Sequence, residues 1–197
     1  MQEAKFAHIF VCDFSSLQEV PEAHKIIEST RSFADRLRET KRQVQTIWAS
    51  MNSAKPDILF AQADWSPKGA RPYDNKKLAA VGLAHVPIKA DETVFAMAGT
   101  NAFKDDLIGP WLKECGVSSL IISGSPSHPC FRSTAESAVD AGFIVHTVHN
   151  HLDACTTKRR SMEDLIKEQK AALTQIAEGA KPIRELTKSE VIGRLCL

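Results

Sequence analysis

The chain lacks several features that would assign a protein to a class directly. Its five cysteines are odd in number and irregularly spaced, and no CxxC pair occurs, so we expect no disulfide framework and a reducing, cytoplasmic compartment. No run of about 18 apolar residues is present, so no membrane-spanning helix is predicted. The opening MQEAKFAHIF has no long apolar stretch behind basic residues, so we expect no secretory signal.

An excess of charge of one sign is also missing. The formal net charge is +1, whereas a nucleic-acid or anionic-membrane partner would favour a basic excess. The basic run Lys158-Arg159-Arg160 is short and is typical of a solvated helix start. Neither GxGxxG nor GxxxxGK[ST] occurs, so no dinucleotide or P-loop site is predicted. We therefore expect no cofactor, no nucleic acid and no membrane as a partner.

What is present is an alternation of short apolar runs and longer amphipathic ones. The 197 residues suit one sizeable core, and we expect a single domain over residues 1–197. Strands are predicted over 6–12, 44–50, 93–97, 118–123 and 143–148. Helices are predicted over 21–39, 105–115, 130–141, 161–177 and 188–195, with Gly116 and Gly142 ending two of them. The section 51–91 is rich in Pro, Gly, Asn and Asp, and only a short strand over 58–60 is expected there.

This alternation predicts an α/β fold: an open, mainly parallel sheet with helices on both faces, a Rossmann-type three-layer arrangement. Ligands of such sheets bind beyond the carboxyl ends of the strands, where the strand order reverses. Asp13 directly follows the first predicted strand, and Cys130 comes a few residues after the strand over 118–123. We therefore expect Asp13 and Cys130 at the same edge of the sheet.

Cys130 stands at the start of a predicted helix, in GSPSHPCFRSTAESAVDAGF. A thiol at that position feels the positive end of the helix dipole and nearby free amides, which favour the thiolate. His128, two residues earlier, would add to this effect when protonated. The alternative is that Cys130 is a small buried residue without chemistry.

The stretch from Gly124 to Gly142 carries a family resemblance. A strand is followed by Gly124, five residues, Cys130, a helix with Thr134-Ala135 and Ala138, and then Gly142-Phe143. In this pattern the chain resembles the isochorismatase-like cysteine hydrolases, the superfamily that includes nicotinamidases and N-carbamoyl amidohydrolases. Further likenesses are Asn101-Ala102-Phe103 followed by Leu107 (similar to Ser-Ala-Phe), Asp13 at the end of the first strand, and Asp64-Trp65.

The resemblance implies a mechanism for a small-molecule substrate. Cys130 would be the nucleophile that attacks an amide or related C–N compound, and Asp13 would carry the proton, beside a family lysine. Backbone amides would hold the developing oxyanion. Met97, Phe103, Trp65, Pro126 and His128 would line the pocket, and the resemblance also implies a homo-oligomer.

The chain departs from the family at the lysine. Met97 stands at the position where counting back from Phe103 leads us to expect it. Lys89 and Lys104 are the nearby candidates to replace it, and both are alternatively solvated surface lysines. A methionine makes the pocket more apolar, which disfavours a thiolate.

A second departure is Pro126. The resemblance implies a cis peptide bond at Ser125-Pro126, which proline favours. Proline has no N–H, so one of the two oxyanion donors implied by the family is absent.

Histidines give no clear metal site, and we expect none. Ser66 follows Asp64-Trp65 where metal-using nicotinamidases have histidine. His146, His149 and His151 could form a zinc site at a strand end, or they are hydrogen-bonded or exposed side chains. Trp48 and Trp65 are either pocket walls or ordinary core and rim aromatics.

Three functions stay open at this point. The first is an isochorismatase-like hydrolase of a small amide or related C–N bond, divergent or impaired by the two departures. The second is a non-catalytic small-molecule-binding or structural oligomeric protein on the same scaffold. In the third, Cys130 is only structural. An ammonium group near the Cys130 thiol would favour the first function, and Met97 in its place would favour the second.

Overall fold

The computed structural model describes residues 5–12, 23–40, 44–60, 71–72, 74–124, 129–148, 183–186 and 190–191. The strands in these ranges are β1 (Lys5–Cys12), β2 (Val44–Ser50), β3 (Asn52–Phe60), β4 (Arg71–Pro72), β5 (Thr93–Ala98), β6 (Val117–Gly124), β7 (Ile144–Val148) and β8 (Ile183–Leu186). The helices in them are α1 (Ala23–Arg38), α2 (Asn75–Ala80), α3 (Ile108–Glu114) and α4 (Pro129–Asp140). Among these residues no helix is both long and apolar enough to cross a membrane.

The described strands form one sheet in the order β4-β3-β5-β2-β1-β6-β7-β8. All of its neighbouring pairs are parallel except β3 with β5. From β1 the chain proceeds to β2 on one side, and it later returns to β6 on the other, so the strand order reverses between β1 and β6. This is the position at which an open α/β sheet binds its ligands.

Each face of the sheet carries its own core because alternate residues of a strand point to opposite sides. Ile9 and Val11 of β1 belong to a cluster with Trp111 of α3 and Phe131 of α4. Phe10 belongs to a second cluster that contains residues of α1 and α2, Ile27 and Leu78. Helices therefore cover both faces, and the predicted α/β class with a mainly parallel sheet is confirmed.

The buried parallel strands agree closely with the predictions. β2 has the predicted bounds, and β1, β5, β6 and β7 differ from them by a residue or two. Such strands are buried on both faces and are therefore nearly continuous apolar runs in the sequence. Gly116 and Gly142 follow α3 and α4 with φ of 78° and 89°, the left-handed conformation that glycine adopts most easily.

The prediction for residues 51–91 was wrong in three places, one of them β4 (Arg71–Pro72), which was not predicted. β3 runs over Asn52–Phe60 instead of three residues, and it pairs antiparallel with β5 at Asn52 and again from Asp57 to Phe60, with a register shift between Asn52 and Asp57. α2 was missed because it has only six residues, although the Asp74 carboxylate caps it by accepting from the Lys77 amide at 2.8 Å.

One further boundary and one further strand differ from the sequence prediction. α3 begins at Ile108, three residues later than predicted, after a turn in which Asp106 has a φ of 47°. β8 was not predicted, and only its pairing with β7 identifies it. The predicted helix over 161–177 lies outside the described residues, and of the one over 188–195 only residues 190–191 are described, as helical.

Candidate active site

Cys130 is the second residue of α4 and has no exposed surface. The preceding strand, β6, ends at Gly124, which is paired with Val11 near the end of β1. Cys130 therefore lies beyond the carboxyl end of β6, at the edge where β1 also ends. Asp13, the next residue after β1, is outside the described residues, so its distance from Cys130 stays a prediction.

Gly124 allows three elements to meet beside this edge. A Cβ atom on Gly124 would collide with the carbonyl oxygen of Val11 and would lie 3.3 Å from the Phe131 ring. Only a residue without a side chain lets β6 pair closely with β1 while α4 packs over both. The first glycine of the family pattern thus has a packing reason here.

The residues after β5 are bound to the side of α4. The Ser133 hydroxyl donates to the Thr100 carbonyl oxygen at 2.8 Å, and the Ala102 amide donates to Thr134 Oγ1 at 3.1 Å. Asn101 Nδ2 donates to Ser137 Oγ at 2.8 Å. In the sequence, Asn101-Ala102-Phe103 and Thr134-Ala135 were only two separate parts of the family resemblance, whereas the structure joins them directly.

Met97 is completely buried, in the same core cluster as Cys130. It is near the carboxyl end of β5, and its side chain is on the face that α3 and α4 cover. The position where the resemblance leads us to expect a lysine is thus occupied by an apolar side chain inside the core.

Lys89 and Lys104, the two candidates to replace the family lysine, lie outside this core cluster. Lys89 Nζ is 2.5 Å from Asp35 Oδ1 of α1, and α1 covers the opposite face of the sheet from α4. Lys104 is exposed, in the turn that its own amide closes on the Asn101 carbonyl. For both residues the structure agrees with the alternative that they are surface lysines.

Phe103, assigned to the pocket from the sequence, packs in the core. Its ring centroid is 5.7 Å from that of Phe143, and its Cδ1 lies 3.3 Å from where a Cβ on Gly109 would stand. Phe143 follows the C-terminal end of α4, whereas Cys130 is at its N-terminal end. The helix is about 18 Å long at 1.5 Å per residue. A role for Phe103 in the pocket stays a prediction.

Several predicted site residues lie outside the described part of the chain: Asp13, Trp65, Pro126, His128, His149, His151 and the bond Ser125-Pro126. Of the histidine trio only His146 is described, partly buried on β7. The described residues contain no group of three His, Cys, Asp or Glu side chains that could hold a metal ion. Trp48 is a core residue, because its ring is fully buried in the cluster on the α1 face.

An ionic cluster at the opposite edge of the sheet was not predicted. Glu92, directly before β5, is fully buried, and its carboxylate accepts hydrogen bonds from Arg31, Arg38, the Trp48 indole and the Lys89 amide. Burial by itself raises the pKa of Glu92, but the hydrogen bonds from Arg31 and the Lys89 amide and the charge of Arg31 lower it overall. The cluster fastens α1 to the start of β5.

A spacing in the sequence could have indicated this cluster. Arg31 and Arg38 are seven residues apart and therefore share one face of α1. A basic pair beside the buried apolar face of a helix either extends to water or pairs with an acidic group, as both arginines do here with Glu92. Glu92 was visible beside an apolar strand, but the sequence did not indicate which of the 24 acidic residues would pair with the arginines.

Comparison with known proteins agrees with this arrangement. The sequence model of the isochorismatase domain matches residues 6–185. YddQ, an uncharacterized isochorismatase family protein from Bacillus subtilis (strain 168), is 34% identical over 80 residues, which are 41% of this chain and 42% of YddQ. The match thus spans about two fifths of that relative's length.

Solved structures resemble nearly the whole chain. An isochorismatase-like hydrolase from Alkaliphilus metalliredigens has a TM-score of 0.60 at 16% identity, over 96% of each chain. N-carbamoylsarcosine amidase from Thermoplasma acidophilum has a TM-score of 0.57 at 16% identity, over 94% of this chain and 98% of the amidase. At these identities the likeness shows a shared fold.

Proposed function

Because this chain belongs to the isochorismatase domain family, we propose that it is a hydrolase of a small-molecule amide or related C–N bond, with Cys130 as its nucleophile. One observation carries the proposal: Cys130 is in the first turn of α4, beyond the carboxyl end of β6 and next to the end of β1. A solved relative of this fold, N-carbamoylsarcosine amidase, is named for this class of chemistry.

In the proposed reaction, Asp13 takes the proton from the Cys130 thiol. The thiolate sulfur attacks the carbonyl carbon and forms a C–S bond, and the oxyanion that develops is held by backbone N–H groups. The C–N bond then breaks, and the amine or ammonia leaves with the proton from Asp13. Water, losing a proton to Asp13, attacks the thioester, and the thiol recovers that proton when the acid product leaves.

We propose that this turnover is slow compared with that of lysine-bearing relatives. Met97 supplies no positive charge to stabilise a thiolate, and Pro126 supplies no N–H to an oxyanion. Loss of one oxyanion donor typically lowers the rate by about a hundredfold or more. Trp65 and His128 complete the proposed pocket.

A panel of primary amides and N-carbamoyl amino acids tests the proposal, with ammonia release as the readout. Wild type and Cys130→Ala are compared, and Cys115→Ala is the matched control because Cys115 is only partly buried, after the end of α3. We expect wild type and Cys115→Ala to release ammonia and Cys130→Ala to release none. Equal turnover by Cys130→Ala would refute the nucleophile.

A second function is favoured by Met97. Its complete burial, together with the ion pair of Lys89 on the other face, supports a protein that binds a small molecule without cleaving it. In that case no amide would be turned over. A compound that raises the melting temperature would do so equally in wild type and Cys130→Ala, because binding would not need the thiol.

The remaining parts of the proposal concern the whole chain. The family match over residues 6–185 supports one isochorismatase-like domain over 1–197. Cys12, Cys115 and Cys130, the cysteines of the described residues, form no disulfide, which agrees with the proposed cytoplasmic compartment. The proposed homo-oligomer is tested by light scattering, where a monomer mass would refute it.

A further inference from the structure

Residues 100–103, which follow β5, are attached to α4 by three hydroxyl side chains of that helix. Ser133 binds the carbonyl of Thr100, Thr134 binds the amide of Ala102, and Ser137 binds the side chain of Asn101. Asn101 Oδ1 also accepts from the Phe103 amide at 2.9 Å, which holds the segment in its turn. We refer to these four residues as the 100–103 segment.

The attachment begins at the turn of α4 that contains Cys130. Ser133 Oγ lies 2.8 Å from the carbonyl oxygen of Thr100 and 3.4 Å from the carbonyl oxygen of Cys130. One hydroxyl therefore stands between the two backbones. The 100–103 segment follows β5, the strand that carries Met97, and reaches α4 at Ser133, three residues after Cys130.

Thr134 links the same segment to the face of α4 on which Cys130 lies. Residues four apart on a helix lie above one another, and their side chains lean toward its N-terminus. Thr134 has no exposed surface, and Ala102 and Cys130 belong to one continuous buried cluster. Thr134 therefore holds the segment in the same buried cluster as the thiol, one helical turn along α4 from Cys130.

Both ends of the segment adjoin residues with positive φ. Gly99, directly before it, has a φ of 110°, and Asp106, shortly after it, has a φ of 47°. A left-handed conformation costs a non-glycine residue such as Asp106 conformational energy, which the surrounding contacts must offset. The hydrogen bonds to α4 are among the contacts along this segment that do so, together with the packing of Phe103 against Phe143.

We infer that Thr134 is a positioning residue: through the Ala102 amide it holds the 100–103 segment against α4, one turn after Cys130, and so limits the access of small molecules to Cys130. The inference rests on the proposed function only in treating Cys130 as the residue that small molecules must reach. It concerns a wall of the site and not the chemistry of hydrolysis.

The test is the rate at which iodoacetamide alkylates Cys130 in the native full-length protein, measured by peptide mass spectrometry. Cys115 in the same molecule is the reference, so the ratio of the two rates is the readout. Thr134→Val keeps the side-chain volume but removes the acceptor, and Thr134→Ser keeps the acceptor. Thr46→Val is the matched control, because Thr46 is buried and its hydroxyl has no hydrogen-bond partner among the described residues.

We expect Thr134→Val to raise the Cys130 to Cys115 ratio by about fivefold, the effect of one lost hydrogen bond on opening of the segment. Thr134→Ser and Thr46→Val should stay within about twofold of wild type by the same reasoning. If Thr134→Val does not fold, Ser137→Ala, which removes the Asn101 attachment from a partly exposed site, should raise the ratio instead.

An unchanged ratio in Thr134→Val would overturn the inference, as would an equal rise in the rates of both cysteines, which indicates global opening. A rise in Thr134→Ser as large as that in Thr134→Val would also overturn it. This readout is independent of turnover. If Thr134→Val raises the ratio but the protein cleaves no amide, the inference stands and the proposed hydrolase is refuted. If the protein cleaves an amide but the ratio is unchanged in Thr134→Val, the hydrolase stands and the inference is refuted.

Discussion

Lys89 Nζ lies 2.5 Å from Asp35 Oδ1, and this ion pair joins the chain before β5 to α1. α1 packs on the face of the sheet opposite to α4, so the sheet separates Lys89 from the helix that carries Cys130. Lys89 is therefore a structural lysine here, and it does not replace the charge that Met97 lacks.

We predict that Lys89→Met leaves the alkylation rate of Cys130 and any amide hydrolysis unchanged. Both partners of the ion pair are partly exposed, so the free energy of unfolding should fall by no more than about 1 kcal/mol. Urea unfolding and the iodoacetamide reaction measure the two effects. A strong loss of Cys130 reactivity with only this small loss of stability would contradict the assignment.

Glu92 makes the fold sensitive to acid. Its pKa is lowered in the folded protein, so its contribution to stability is fully present above the pKa of an unfolded glutamate and is lost as the pH falls through the lower folded pKa. Burial alone raises the pKa of Asp35, but the hydrogen bond from Lys89 and the charge of Arg31 lower it overall, in the same direction as Glu92. The urea midpoint should therefore fall on acidification below the usual carboxylate range.

Replacing Glu92 tests which carboxylate dominates. Glu92→Gln leaves Arg31 and Arg38 without their buried partner and should cost about 3–5 kcal/mol of unfolding free energy near neutral pH. Asp91→Asn is the matched control, because Asp91 pairs with Arg38 from an exposed position. The urea midpoint of Glu92→Gln should depend less on pH than that of wild type, and an unaltered dependence would exclude Glu92 as its source.

Gly124 and Gly109 form a steric comparison. Gly124→Ala brings Cβ against the Val11 carbonyl oxygen, part of the sheet backbone, and should cost about 1–3 kcal/mol of unfolding free energy. Gly109→Ala places Cβ 3.3 Å from the ring of Phe103, and alanine is favoured over glycine within a helix by about 1 kcal/mol. Gly109→Ala should therefore be nearly neutral. Equal losses in denaturant melts of the two variants would contradict the close approach at Gly124.

Met97→Lys would place a cation near the carboxyl end of β5, at the position where the family resemblance leads us to expect a lysine. The Met97 side chain is fully buried, so an ammonium there is costly and the melting temperature should fall. In the folded fraction, the alkylation rate of Cys130 near neutral pH should rise, because a nearby positive charge favours the thiolate. Met97→Leu is the control for packing and should alter neither quantity strongly. A Cys130 rate that is equal in both variants would show that position 97 does not act on the thiol.

The sequence by itself determined the class of the fold and the place of Cys130. Strands β1, β2, β5, β6 and β7 were predictable because they are buried on both faces and so are short, continuous apolar runs. The start and end of α4 were predictable from the prolines before Cys130 and from Gly142 after it. These are local signals, carried by neighbouring residues.

Only the tertiary structure decided which distant residues pair with one another. β3 extends beyond its apolar residues 58–60, and its pairs with β5 include Asn52 and Asp57; the pairing of β8 with β7 is likewise between distant parts of the chain. From the sequence, Lys89 is a candidate for the active site. In the structure it pairs with Asp35, on the opposite face of the sheet from α4. From the sequence, Thr134 is only one residue of a family motif, whereas the structure shows that its hydroxyl oxygen accepts a hydrogen bond from the Ala102 amide. Contacts between residues 30 to 60 positions apart depend on how the sheet and helices pack, and no local pattern encodes them.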